Sequence, residues 1–153
     1  MSIVDELFKS KARLIGISLL IIALVIAGFA LSLREPEVIV DDIRTKEFSS
    51  KGHYIIFAVT LTVNNKNIIG GTLKEVESDV YYNGDYIGVA YSYEHYEIKA
   101  NGESTVSVDL KITNLPRTFT TTAHPTVRVK GTALINVFGI DFKAPFDETQ
   151  RIS

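Results

Sequence analysis

The twenty residues from Leu14 to Leu33 carry no charge, and this run limits what the chain can be more than any other feature. As a helix it is about 30 Å long, the thickness of a bilayer's hydrocarbon core. Thirteen of its residues are Leu, Ile, Val or Phe. At roughly −0.3 to −0.6 kcal/mol each they favour insertion by about −4 to −8 kcal/mol, which Gly16, Ser18, Gly28 and Ser32 reduce only slightly. The stretch 14–33 therefore reads as a transmembrane helix whose partner is lipid, preceded by a short cytoplasmic tail, 1–13.

The flanks set the orientation. Lys9, Lys11 and Arg13 precede the run, whereas Arg34 is followed by Glu35, Glu37, Asp41 and Asp42. The positive-inside rule puts the N-terminus in the cytoplasm and everything after Arg34 outside, a single-pass protein of the cell membrane. Two processed forms compete with this anchor. Gly28-Phe29-Ala30 offers small residues to a signal peptidase, although the run is longer than a usual signal h-region. Gly16, preceded by Lys11 and Arg13, is a prepilin-like position; cleavage there would turn the helix into the core of a surface filament.

Pro36 ends the helical pattern, and from there the apolar period becomes two. Ile55, Phe57, Val59, Leu61 and Val63 alternate with Tyr54, Ala58, Thr60 and Thr62. Val106, Val108, Leu110 and Ile112 alternate with Ser107, Asp109 and Lys111, and Val127, Val129, Ala133, Ile135 and Val137 with Arg128, Lys130, Thr132 and Asn136. One apolar and one wet face per strand is the signature of an antiparallel sheet. Turn residues separate the runs: Asn83-Gly84, Asn101-Gly102 and Gly139. The pattern predicts seven strands, at about 37–48, 53–64, 72–83, 86–98, 103–114, 126–138 and 139–146. The fold class is all-β, an antiparallel β-sandwich over 37–153, with the threonine-rich stretch Asn114–Thr126 as its exposed loop.

Composition removes several function classes. Without cysteine there is no disulfide, thiolate metal site or cysteine nucleophile. From Glu37 onward twelve basic face fifteen acidic residues with no basic stripe, which argues against nucleic acid as a partner. There is no Gly-x-Ser-x-Gly elbow or Gly-rich phosphate loop, and His53, His95 and His124 lie on different elements. No enzyme, cofactor or metal site is expected. Abundant isoleucine, a single glutamine (Gln150) and no cysteine or tryptophan point to a heat-adapted source.

Six of the seven tyrosines fall between Tyr81 and Tyr96, across one predicted hairpin. Tyrosine buries area at low entropic cost and keeps a polar tip, so Tyr91 and Tyr93, which share a face, and Tyr96, which lies opposite, with His95, form the candidate interaction surface. Ordinary cross-strand packing is the competing account of the same residues. The acidic alternation Glu75, Glu77, Asp79 reads as a solvated strand face, with a cation site as the alternative.

Five blocks in order complete the picture: Val63-Asn64-Asn65-Lys66-Asn67; Tyr82-Asn83-Gly84 with Ile87-Gly88; Ile98 to Gly102 with Thr105–Leu110; Val129-Lys130-Gly131-Thr132-Ala133; and Phe142 to Phe146. Together they resemble the group 2 late-embryogenesis-abundant proteins, or water-stress and hypersensitive-response (WHy) domains, from about Val38 to Ile152. Asn65 and Asn67 stand where that family has Asn-Pro-Asn, with Lys66 in place of the proline. The resemblance, as to an archaeal membrane-anchored member, implies a fibronectin type III-like sandwich and a non-enzymatic role in desiccation or envelope stress. The alternative is a surface-filament or envelope subunit whose apolar helix bundles with its copies.

Overall fold

The computed structural model describes residues 3–152. The chain divides into two compact units, Met1–Leu33 and Arg34–Ser153, each taken by itself below.

The first unit is one helix, α1 (Ile3–Ser32). It begins well before the apolar run, so the stretch read as a short tail is helical from residue 3 onward. Its segment Lys9–Ser32, 24 residues, is long and apolar enough to cross a membrane. Its last turn closes through hydrogen bonds from Ser32 Oγ to the Phe29 carbonyl (2.6 Å) and from Leu33 N to the Ala30 carbonyl (3.3 Å). Glu35-Pro36 then enforces an extended backbone.

The second unit is an antiparallel sheet of eight strands: β1 (Glu37–Ser49), β2 (Tyr54–Asn65), β3 (Gly71–Tyr82), β4 (Asp85–Ser92), β5 (Tyr96–Ile98), β6 (Gly102–Ile112), β7 (Thr126–Val137) and β8 (Ile140–Arg151). Their order is β1-β2-β6-β4-β3-β7-β8, with β5 paired to β3. The sheet curls. β6 and β4 meet at a single bridge, Tyr91 opposite Lys111, whereas β2 and β6 pair over their whole length. The two end strands, β1 and β8, come together through one side chain: the Gln150 amide oxygen accepts from Ile43 N (3.0 Å) and its NH2 donates to the Asp41 carbonyl (3.0 Å).

The period-two runs line the inside of the curl. Ile55, Phe57, Val59, Leu61 and Val63 are fully buried, as are Val108, Leu110, Ile112, Val127, Val129, Ala133, Ile135 and Val137. Inward side chains from β1 (Val38, Val40, Ile43) and β3 (Leu73, Val76, Val80) complete the core. The change of parity after Val40 is a register shift against β2, which brings Ile43 rather than Asp42 inward.

Three expectations need correction. The predicted strand 86–98 is two strands, because residues 93–95 leave the ladder between β4 and β5. The last strand runs on to Arg151 rather than ending at Phe146. Its apolar alternation stops there because the next alternate positions are Glu148 and Gln150, and Gln150 satisfies the backbone of β1 instead of filling the core. Finally, the stretch Asn114–Thr126 is not simply an exposed loop. Leu115 is buried and its N–H donates to the His53 carbonyl (3.0 Å), while Phe119 packs edge-on against Phe48 and Tyr82.

Candidate interaction surface

The tyrosines divide by which way a single bulge turns them. The Asn83-Gly84 turn pairs Tyr82 with Asp85 and Tyr81 with Tyr86. Continued without interruption, that register would set Tyr91 opposite Val76 and turn it into the core. Instead Gly88, at φ +140°, lies opposite Val80 and Ile87 is the extra residue. This backbone conformation is nearly closed to other residues. Parity therefore flips, Tyr91 lies opposite Glu77, and both Tyr86 and Tyr91 face outward, 53% and 39% exposed.

Tyr93 follows on the same face at 66% exposure, its ring stacked on Tyr91 with centroids 6.0 Å apart and planes within 7°. Tyr96 does not join them. It is half-buried at the start of β5, and its hydroxyl donates to Glu94 Oε2 (2.6 Å). Burial, followed by that carboxylate, pushes its phenol up to about 12. His95 is exposed on the segment between the two strands. Thus Tyr91 and Tyr93 form one stacked pair, and Tyr96 and His95 lie beside it rather than in it.

The bulge also aligns the acidic alternation with the tyrosines. Glu77 lies opposite Tyr91 and Asp79 opposite Val89, so the β3 carboxylates run alongside exposed rings on β4. Partial burial first, then Glu77, raises the Tyr91 phenol; burial and then Asp79 does the same for Tyr86. Farther along, Tyr86 and Tyr81 meet edge to face at 5.6 Å, and the Arg128 guanidinium lies 5.5 Å from the Tyr81 ring. Arg128 grips Asp147 bidentately at 2.9 and 2.7 Å, which holds that carboxyl below its ordinary value. Tyr86 and Tyr81 were missed as part of this face because its parity depends on the bulge. The Ile87-Gly88 dipeptide was the available signal.

Among the described residues no three His, Asp or Glu side chains converge on a metal-sized position. What the surface can do is present flat aromatic area beside negative charge.

A second constellation lies where the chain enters the sheet domain. Asn65, fully buried, donates to the carbonyls of Ile69 (3.0 Å) and Lys99 (2.9 Å). Its Oδ1 accepts from both the backbone N (3.1 Å) and Nδ2 (2.9 Å) of Asn67. Asn67 in turn holds the backbone of Arg34 from both sides, accepting from its N–H (2.7 Å) and donating to its carbonyl (2.8 Å). Its own carbonyl accepts from Asn101 N (2.9 Å). Every buried polar side-chain atom described is satisfied, so this network is a clamp rather than a reactive site. Lys66, between the two asparagines, points outward to Glu37 (3.0 Å).

Solved structures share the fold. A protein from Archaeoglobus fulgidus superposes with a TM-score of 0.50 at 10% identity over 78% of this chain and 94% of that one. A protein of Arabidopsis thaliana solved in solution gives 0.55 at 16% identity over 78% and 82%, and a putative late embryogenesis abundant protein gives 0.50 at 14% over 97% and 88%. No curated protein sequence matches the chain. The family model described as late embryogenesis abundant protein (LEA_2) matches residues 60–150, from the middle of β2 almost to the end of β8. That match spans more than half of the sequence and includes the asparagine clamp, the bulged hairpin and the β7–β8 ladder, so the chain belongs to the late embryogenesis abundant family.

Proposed function

We propose that this is a membrane-anchored, non-enzymatic stress-protection module of the water-stress (WHy) type. Helix α1 crosses the cell membrane with its N-terminus in the cytoplasm and holds a fibronectin type III-like domain outside. The observation that carries the reading is the segment Lys9–Ser32 of α1, long and apolar enough to cross a membrane, with Lys9, Lys11 and Arg13 at its start and Glu35, Glu37, Asp41 and Asp42 beyond it. Two residues after the apolar helix ends, the chain is fixed by a pair of hydrogen bonds into the rigid end of the sheet domain. Membership of the late embryogenesis abundant family supports the stress-related, non-enzymatic role.

The outward tyrosine–carboxylate face is the surface on which a protein or client partner would dock. The stacked Tyr91–Tyr93 pair is the expected anchor, since aromatic residues dominate binding energy at interfaces. Tyr93→Ala should weaken capture of membrane-associated clients by more than ~1 kcal/mol while the melting temperature stays put. Equal loss of stability and binding would make the pair a strut of the fold. The mass of the mature protein tests the anchor: Met1 retained supports it, a start at Ile17 assigns the helix to a filament, and a start at Leu31 makes the domain secreted.

A further inference from the structure

Twice among the described residues of the sheet domain a cation lies over a tyrosine ring with a carboxylate at hand. The Arg128 guanidinium is 5.5 Å from the Tyr81 ring centroid and is bonded bidentately to Asp147. Lys111 Nζ is 4.6 Å from the centroid of Tyr54, whose hydroxyl donates to Glu47 (2.6 Å). A third set of rings and carboxylates, Tyr91 and Tyr93 with Glu77 and Glu75, has the same ingredients without the cation.

Strand register assembles this third set. Glu77 pairs with Tyr91, and the β3–β4 ladder ends beside them at Val76 and Ser92, so Glu75 and Tyr93 are the next residues on the two segments. Glu77 is exposed and Glu75 half-buried. Both bear on the Tyr91 phenol, which partial burial raises first and Glu77 second, with Tyr93, Glu75 and Asp79 adding to them. Among the described residues, neither Glu75 nor Glu77 has an ion pair or a side-chain hydrogen bond, and no cation lies over Tyr91 or Tyr93. Neighbouring cations are committed elsewhere. Lys111, across the β4–β6 bridge from Tyr91, is the one over Tyr54, and Lys74 pairs with Asp141 (3.6 Å). On β7, Lys130 stands opposite Asp79, whereas uncharged Thr132 and Leu134 stand opposite Glu77 and Glu75.

We propose that the Tyr91–Tyr93 stack, with the carboxylates of Glu75 and Glu77, is the docking site for an arginine-bearing segment of a partner polypeptide. This rests on the reading of the face as a docking surface and adds the partner's chemistry to it. Charge complementarity selects the occupant. A planar guanidinium can lie on an exposed tyrosine ring and bond a neighbouring carboxylate through two N–H groups, as Arg128 does within the fold. An ammonium offers only a point charge, and an apolar side chain would strip water from Glu77 without replacing it. Each exposed contact of this kind is weak, so a segment with several arginines is the form that binds.

The test uses the full-length protein in a nonionic polyoxyethylene detergent at physiological salt. It would be titrated into a short fluorescent Gly-Ser peptide with regularly spaced arginines, and into versions with lysine, glutamine or glutamate instead. By anisotropy the arginine peptide should bind, the lysine peptide more weakly, and the other two not at all. Tyr93→Ala should weaken the arginine peptide by about fivefold and Glu77→Gln by about threefold, with melting temperatures unchanged. Glu103→Gln, which removes the same charge from the exposed start of β6, should change it by less than about twofold. Equal weakening by Glu77→Gln and Glu103→Gln would overturn the site and leave only diffuse attraction to an acidic domain. Calcium bound at the face and lost in Glu77→Gln, with the arginine peptide unbound, would overturn it in favour of a cation site. An arginine peptide that does not bind, while Tyr93→Ala still abolishes capture of membrane-associated clients, would overturn this inference and leave the docking reading standing. No peptide binding, with client capture untouched by Tyr93→Ala, would remove both.

Discussion

At the residue scale the account turns on side chains and backbone positions whose neighbours leave no slack. Gly131 is the tightest. A Cβ there would lie 1.9 Å from the Glu77 carbonyl oxygen across the β3–β7 ladder, so no side chain fits without parting the strands. Gly131→Ala should destabilise the domain by more than ~2 kcal/mol, as overpacked positions do, while Thr132→Ala next to it should cost far less. Paired denaturant melts check this. Tyr96 supplies a prediction in pH. Its phenol is pushed up to about 12, by burial first and the Glu94 carboxylate second, against about 10 in an unfolded chain. The neutral phenol is therefore the form that the fold favours. Its stabilisation is complete below pH ~10 and is lost as pH rises through about 12. Tyr96→Phe should flatten the fall in stability across that window, leaving the smaller slopes of Tyr54, Tyr86 and Tyr91, whose phenols are also raised.

At the scale of elements the strands were readable and their irregularities were not. The alternation of Val106, Val108, Leu110 and Ile112 with Ser107, Asp109 and Lys111 is a direct record of β6, because each strand has one face against the core. Val108→Asp should accordingly unfold the domain. Asp109→Asn, which gives up only an exposed ion pair with Lys46 (2.5 Å), should cost less than ~1 kcal/mol. What escaped the alternation did so for local reasons. The bulge at Gly88 reverses the parity of β4, and with it which tyrosines face out. The continuation of β8 is written in polar residues, because its inward Gln150 bonds the backbone of β1. The lone glutamine stitches the two end strands to each other through the backbone of β1. Gln150→Ala should destabilise by about 1–2 kcal/mol through the stranded Ile43 N–H and Asp41 carbonyl, and should speed hydrogen exchange at Ile43 selectively. Of the candidate surface, the sharing of one face by Tyr91 and Tyr93 follows from their spacing, but that this face is the outward one does not, because the bulge at Gly88 decides it. Tyr96 falls off that face by the same spacing, whereas the break between β4 and β5 is unmarked, because residues 93–95 leave the ladder without a glycine or proline.

At the scale of the whole molecule the chain joins a helix with a charge-free apolar stretch, an asparagine clamp where the chain enters the β domain, and a curled sheet with an outward aromatic–acidic face. The membrane reading and the binding reading stand or fall separately, and location comes first because every proposed partner depends on it. Its most direct test uses the missing cysteines. Ser10→Cys and Thr120→Cys, both exposed, lie on either side of the charge-free run Leu14–Leu33. In intact cells or sealed right-side-out vesicles, a membrane-impermeant maleimide should label position 120 at once and position 10 only after detergent, with the full-length protein remaining in the membrane fraction. Protection of position 120 in sealed membranes, or equal labelling of both positions on a protein that washes free, would contradict the account.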